Sequence, residues 1–416
     1  MVNIEPFSAY YYNTEKVRLS DVIVPPFDVI SESERKRFSK RHPYNFVKII
    51  LGKERGGGYQ RAGELFQLWK KKNILIRDTQ AHFYFWQQTF REKRKRLTRS
   101  GLVAEVALDG FRRGDIVPHE KTFEAPILDR LQVVEATRAN LSPVFMMYDG
   151  GKMSLENKII QKCGKPFLQF HDLEGVKSRI WKIEERDLEK EIQNYFQNKK
   201  LYIVDGHHRF ATALAFREKH KQTSVSSRSP VSSRRKPGST PLDFVLTVIC
   251  NMADPALSIY PIHRMLLRQK DFDREAYLKR LASDFVISKK RGMPKVLKRK
   301  RWGILFHHDP VYYELSPKRG SPFFKKAKEA LDVFILQESI IPKKYRDDLR
   351  YTKAIGKNLE REFLKLREGK YEAIWLTREP SLDQIKAIAD AHEVMPQKST
   401  FFYPKIFAGA LIRCFD

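Results

Sequence analysis

The segment with the densest chemistry is Asp205-Gly206-His207-His208-Arg209. It follows a short apolar run, LYIV at 201–204, and precedes an alanine-rich stretch, FATALAFREKH. That order reads as strand, tight turn and helix. A helix N-terminus offers unpaired backbone N–H groups and the positive end of the helix dipole, which suits an anion. Gly206 lets the chain turn and lets an anion approach the backbone. Arg209 can grip phosphate oxygens two at a time. His207 and His208 can add charge-assisted bonds or handle a proton. Asp205 can hold a metal ion, orient a histidine or accept a proton. The plainer alternative is a capped polar turn. A zinc site would need H-x-x-x-H or C-x-x-C spacing, which is absent.

Four weaker constellations accompany it. His119-Glu120-Lys121-Thr122 pairs a base with an orienting carboxylate, or is a polar turn. Asp28 follows Pro25-Pro26-Phe27, at a strand end or an ordinary turn. Met395-Pro396-Gln397-Lys398-Ser399-Thr400, followed by Pro404-Lys405, puts one amine and two hydroxyls where phosphate or carboxylate could bind. It lacks the glycines of a Walker loop. Arg138 in TRANLSP and Arg264 in YPIHR stand beside compact motifs.

The elements that must hold these residues follow from pattern. VRLSDVIV and FVKIIL read as strands, and Ser31 with Glu34 forms a capping box for a helix over SESERKRFSKR. Residues 59–72 space Leu65, Phe66, Leu68 and Trp69 as an amphipathic helix. AHFYFWQQTF and GLVAEVAL read as paired strands joined by the basic run between them. PLDFVLTVICNM reads as a strand that can rejoin the same sheet. WGILFHH, VYYEL and EAIWLT are further strands, and Ser381 with Gln384 caps a helix over SLDQIKAIADAHE. Residues 221–240, rich in Ser, Arg and Pro, read as a disordered basic insertion. KERGGGYQ, with Gly56, Gly57 and Gly58, reads as a connector. The expected organisation is 1–220 as an N-terminal α/β region carrying the DGHHR turn, 221–240 as linker, and 241–416 as a remaining core strand and a C-terminal α/β region.

Composition narrows the class. The chain has 416 residues, 42% hydrophobic and 31% charged, which excludes disordered, collagen-like and disulfide-rich miniprotein classes. No apolar run reaches the ~20 residues of a membrane-spanning helix, so no membrane association is expected. Three dispersed cysteines suit a reducing cytoplasm. The net charge is +29, and the runs 91–99, 221–240 and 289–301 hold +18 of it. Such runs allow nonspecific nucleic-acid contact, yet most often they are solvated loops. No helix-turn-helix, zinc finger or aromatic RNA-binding signature accompanies them.

The stretches PPFDVI, HPYNF, GLVAEV, HEKTF, ANLSPVF, LYIVDGHHRF, YPIHR and MPQKSTFFYPK resemble, in order, the bacterial family named domain of unknown function ten-fifteen. Phe27 stands where that family usually has tyrosine, and 221–240 resembles an insertion that the family generally lacks. The DGHHR element is also similar, more distantly, to the nucleotide site of the ParB/sulfiredoxin fold. That group includes partitioning CTPases, sulfiredoxins and free-serine kinases. The resemblance implies an α/β (mixed α+β) protein with a ParB/sulfiredoxin-like core and an additional α/β C-terminal region. It implies phosphate binding by Gly206, His207, His208 and Arg209, with Mg²⁺ and ATP or ADP. It casts Asp205 and Glu120 as metal ligands, and Asp205, His207, His208, Glu120 and Asp28 as candidates for catalysis. Lys398, Ser399 and Thr400 would add phosphate contacts, and Arg138, Arg264 and His119 substrate contacts. The expected activity is phosphotransfer to a small hydroxyl metabolite, with free L-serine the first candidate. A ParB-like, nucleotide-gated DNA-binding regulator and a phosphoserine phosphatase are the alternatives.

Overall fold

A computed structural model describes residues 1–52, 58–92, 94–220, 239–292, 297–319, 331–353 and 357–415. It is a mixed α/β protein that divides into two compact units. The first comprises Met1–Val117, Thr122–Leu257 and Pro404–Asp416, and the second Pro118–Lys121 and Ser258–Tyr403. The division thus follows Leu257 rather than the basic insertion. Of that insertion, 221–238 lie outside the described residues, as do Gly56 and Gly57 of the glycine-rich connector.

The first unit is built on a nine-stranded sheet. In spatial order the strands are Ile116–Pro118, Leu201–Asp205, Val144–Tyr148, Phe244–Asn251, Lys95–Ala107, Phe83–Glu92, Lys177–Ile183 and Leu168–His171, with Ile4–Glu5 paired to Lys95–Ala107. Phe244–Asn251 explains why the chain returns to this unit after the insertion. Every residue in it is buried, so both its faces need cover. It lies parallel to Val144–Tyr148 and antiparallel to Lys95–Ala107. The basic run 91–99 is mostly strand: Glu92 registers with Lys95, and Arg94 turns with φ +69°. Arg99, at its end, is buried rather than solvated.

Helices Gly58–Lys71 and His207–His220 form where apolar periodicity or a turn signal predicts them, and Glu124–Thr137 is a further helix that the sequence reading does not assign. Both hydrogen bonds of the Ser31/Glu34 capping box are present, and the helix runs Glu32–Arg41. Two expected strands are helical instead. Leu19–Val22 and Val47–Ile50 are single turns. Asn45 decides the second: its Oδ1 accepts from Val47 N–H at 3.1 Å while its Nδ2 donates to the Asp21 carbonyl at 2.7 Å. A side chain that bonds the backbone locally this way competes with strand pairing and outweighs β-branched propensity over four residues.

The second unit carries a six-stranded antiparallel sheet, ordered Phe285–Arg291, Val311–Pro317, Trp302–Phe306, Tyr371–Leu376, Ile262–Leu267 and Leu349–Lys353. Alternate residues build two cores. Leu266, Ile304 and Trp375 belong to one, and Met265, Leu305 and Ile374 to the other. The predicted capping box at Ser381 and Gln384 opens helix Leu382–Asp390.

Candidate functional site

In the first unit the DGHHR segment forms the strand–turn–helix its sequence predicts. Asp205 ends strand Leu201–Asp205, and the 14-residue helix His207–His220 begins two residues later. Gly206 turns between them with φ +85°, a conformation L side chains avoid. The Arg209 guanidinium folds back over this glycine. A Cβ at Gly206 would lie 2.8 Å from its Cζ and Nη2. Gly206→Ala is therefore expected to cost about 1–2 kcal/mol of stability through the left-handed backbone. It should also displace Arg209. Urea unfolding of the variant beside wild type checks the loss.

Arg209 Nη2 donates to Asp205 Oδ2 at 3.1 Å, and its Nη1 donates to the Pro143 carbonyl and, at 3.4 Å, to Ser142 Oγ. Lys405 Nζ donates to the other carboxylate oxygen, Asp205 Oδ1, at 2.9 Å. The side chains of Asp205, Arg209 and Lys405 are 14%, 10% and 9% exposed, so this triad is partly desolvated. Lys405 is aimed by buried neighbours. Arg99 Nη2 donates to the Pro404 carbonyl at 2.5 Å, and Gln88 Nε2 donates to the Lys405 carbonyl at 3.0 Å. Burial pulls the Arg99 pKa down, while Cys250, Asp254 and Asp205 act in the opposite sense. Two cations thus converge directly on one carboxylate at a helix N-terminus, with a third cation beside them. That balance favours an added anion.

The role of Asp205 follows from these bonds. Each of its oxygens accepts from a cation, which fits a tether for Arg209 and Lys405. Among the described residues no three His, Cys, Asp or Glu side chains gather into a metal-holding group. His207 is buried, and His208 Nε2 accepts from Phe123 N–H at 3.3 Å.

A narrow cleft of about 50 Å³ opens beside Arg209, lined by Phe27, Arg130 and Ser142 among others. The Arg130 guanidinium stacks on the Phe27 ring at 4.2 Å. Asp28 sits next to it in the 3-10 turn Phe27–Val29, where Phe27 reaches this cleft. Arg138 is placed otherwise. It caps helix Glu124–Thr137 with φ +52°, and its guanidinium stacks on Phe216 at 5.1 Å. Three contributors escape sequence reading. Lys405 was visible only as part of Pro404-Lys405, and Arg130 and Arg99 carry no local motif.

The second unit gathers His119, Glu120, Ser399 and Thr400. Glu120 Oε1 accepts from Ser399 N–H at 3.1 Å, Thr400 N–H at 3.3 Å and Thr400 Oγ1 at 3.2 Å. Lys398 adopts φ +54°, the left-handed region, in the loop that supplies those N–H groups. Ser399 Oγ donates to the Pro396 carbonyl at 2.5 Å. Of the two hydroxyls expected to contact phosphate, that of Thr400 therefore donates to an internal carboxylate and that of Ser399 to a carbonyl. His119 is fully buried, with Nε2 3.3 Å from Thr400 Oγ1. Arg264 is also fully buried.

His263, just before it, accepts from Thr377 N–H through Nδ1 at 3.3 Å. Burial, aided by the Arg264 charge, pushes its pKa down to about 3. The unfolded chain takes up this proton near the usual value of 6.5, and the folded chain resists it until about 3. Stability is therefore complete above that upper value. It is expected to fall as pH drops through the window, by at most about 1.4 kcal/mol per pH unit. Urea unfolding of wild type and His263→Asn at neutral and mildly acid pH checks this; the variant should lose that part of the dependence.

Against known proteins, the sequence matches the family described as "Protein of unknown function (DUF1015)" over residues 4–334. The chain belongs to this family. No curated protein matches it. Among solved structures, the DUF1015 chain is similar to a conserved hypothetical protein from Pyrococcus furiosus, at 13% identity and a TM-score of 0.36, covering 74% of this chain and 92% of that one. It is similar to a free serine kinase in complex with AMP, at 11% identity and a TM-score of 0.35, covering 73% and 86%. It is also similar to SbnI with C-terminal truncation from Staphylococcus aureus, at 10% identity and a TM-score of 0.36, covering 74% and 85%. Among the described residues no helix is long and apolar enough to cross a membrane.

Proposed function

We propose that this DUF1015 protein is a cytoplasmic, nucleotide-dependent phosphotransferase acting on a small hydroxyl metabolite, with free L-serine the first candidate. One observation carries the reading: Arg209 and Lys405 converge on Asp205 at the N-terminus of helix His207–His220. A nucleotide phosphate entering there meets backbone N–H groups, a guanidinium fork and an ammonium group. Asp205 holds both cations in place before the ligand arrives, so little reorganisation is needed when charge develops on the transferred group. Positioning and electrostatics supply most of the rate in phosphoryl transfer. ATP or ADP is the expected donor. Mg²⁺ would enter with the nucleotide's phosphate oxygens. Asp28 adjoins Phe27, which lines the Arg209 cleft, and is the first candidate to orient the attacking hydroxyl.

The test is ³¹P NMR on the purified protein with Mg²⁺, ATP or ADP, and L-serine. A new phosphomonoester signal that depends on enzyme is the expected result. Absence of turnover with every donor, together with absence of nucleotide binding, overturns the reading.

A further inference from the structure

One buried cation in the second unit has an edge with no assigned partner. Arg264 lies on Ile262–Leu267, an interior strand flanked by Tyr371–Leu376 and by the edge strand Leu349–Lys353. It registers with Trp375 on one side and Tyr351 on the other, and alternation puts it on the apolar face of Leu266. Its side chain is fully buried. Nη1 donates to the Ile262 carbonyl at 2.5 Å. Nε and Nη2 have no hydrogen-bond partner among the described residues. Those two nitrogens are not an arbitrary pair. They form one side of the planar guanidinium and offer two parallel N–H donors, the geometry that receives an oxyanion bidentately.

The surroundings define the ion. Burial lowers the Arg264 pKa to about 10, so it stays charged near neutrality; Tyr351 and Glu120 are the groups that pull the other way. Glu120 is engaged with the Ser399 and Thr400 N–H groups, and His263 is neutral. One open two-donor edge on a cation that the Glu120 charge already reaches matches at most a single planar monoanion. A phosphate dianion would leave surplus negative charge close to Glu120 in a poorly hydrated setting. The Tyr351 ring lies over the guanidinium at 5.6 Å and is itself 40% exposed on the edge strand.

We propose that Arg264 is a receptor for the carboxylate of a small-molecule ligand, held on its Nε/Nη2 edge, with the Tyr351 ring moving to admit it. The proposal does not depend on the nucleotide reading, and its test contains no nucleotide.

The full chain is titrated with L-serine, glycolate and formate, with ethanolamine and inorganic phosphate as controls, by saturation-transfer NMR and thermal unfolding. At least one carboxylate should bind saturably and raise the unfolding midpoint, and ethanolamine should not. Arg264→Lys keeps the charge but loses the fork, and should weaken that binding at least tenfold. Arg264→Met should abolish it while unfolding, without ligand, at or above the wild-type midpoint, because a buried unpaired charge has been removed. A merely structural arginine would instead lower that midpoint. Should the methionine variant not fold, the lysine variant alone decides. The proposal is overturned if none of the three carboxylates binds, if phosphate binds and they do not, or if either variant that folds binds as wild type does.

Discussion

Replacing Arg209 by alanine is expected to weaken ATP or ADP binding about 10- to 100-fold, the equivalent of one or two charge-assisted hydrogen bonds. The effect should be large because Arg209 combines the fork geometry with a place over Gly206, where the helix dipole acts on the same anion. The fold should survive. Asp205 retains Lys405 at 2.9 Å, so its carboxylate keeps a cation partner. Arg209→Lys should fall between wild type and alanine, since an ammonium supplies charge without the planar fork. Isothermal titration calorimetry with each nucleotide, beside circular dichroism of each variant, measures both halves. Unchanged affinity in a folded Arg209→Ala protein would remove the phosphate site from this turn.

The second large effect concerns stability. Arg413, 1% exposed, donates through Nε to Glu105 Oε1 at 2.5 Å, and Glu105 is 2% exposed. Arg413 also donates to Asn140 Oδ1 and the Phe244 carbonyl, each at 3.1 Å, and to the Pro241 carbonyl. One side chain near the C-terminus thus ties the strands Lys95–Ala107 and Phe244–Asn251 to the segment before the latter. Arg413→Met removes the cation from a buried carboxylate and a donor from three further acceptors. It should lower the stability of the first unit by about 3–5 kcal/mol in urea unfolding. Adding Glu105→Gln should recover a substantial part, because the stranded charge is the main penalty. A loss below about 1 kcal/mol in the single variant would show that the pair is not the tie described.

Much of this architecture was legible locally. Capping boxes at Ser31 and Ser381 announced their helices because both partners of each box lie within four residues. The DGHHR turn was legible for the same reason: an apolar strand, a glycine and a helix-forming run are adjacent in the chain. The misreadings share a cause. FVKIIL carries strand propensity, yet Asn45 reaches both Val47 N–H and the Asp21 carbonyl, and its Asp21 partner lies 24 residues away. The run 91–99 reads as solvated charge, yet Arg99 is buried because the carbonyl of Pro404 awaits it.

By itself the sequence determined the element types where signals are short-range, the family through its ordered motifs, and which residue types stand at the Asp205–Arg209 turn. Only the tertiary structure decided what those residues do to one another. It brought Lys405 to Asp205 from 200 positions along the chain and placed Arg138 on Phe216. It gave the amides of Ser399 and Thr400 to Glu120, and it buried Arg264 with one edge unpaired. The physical reason is range. Caps, turns and periodicity act over a few residues, whereas a buried charge takes its protonation, its partners and its chemistry from groups that folding alone brings within a few ångströms.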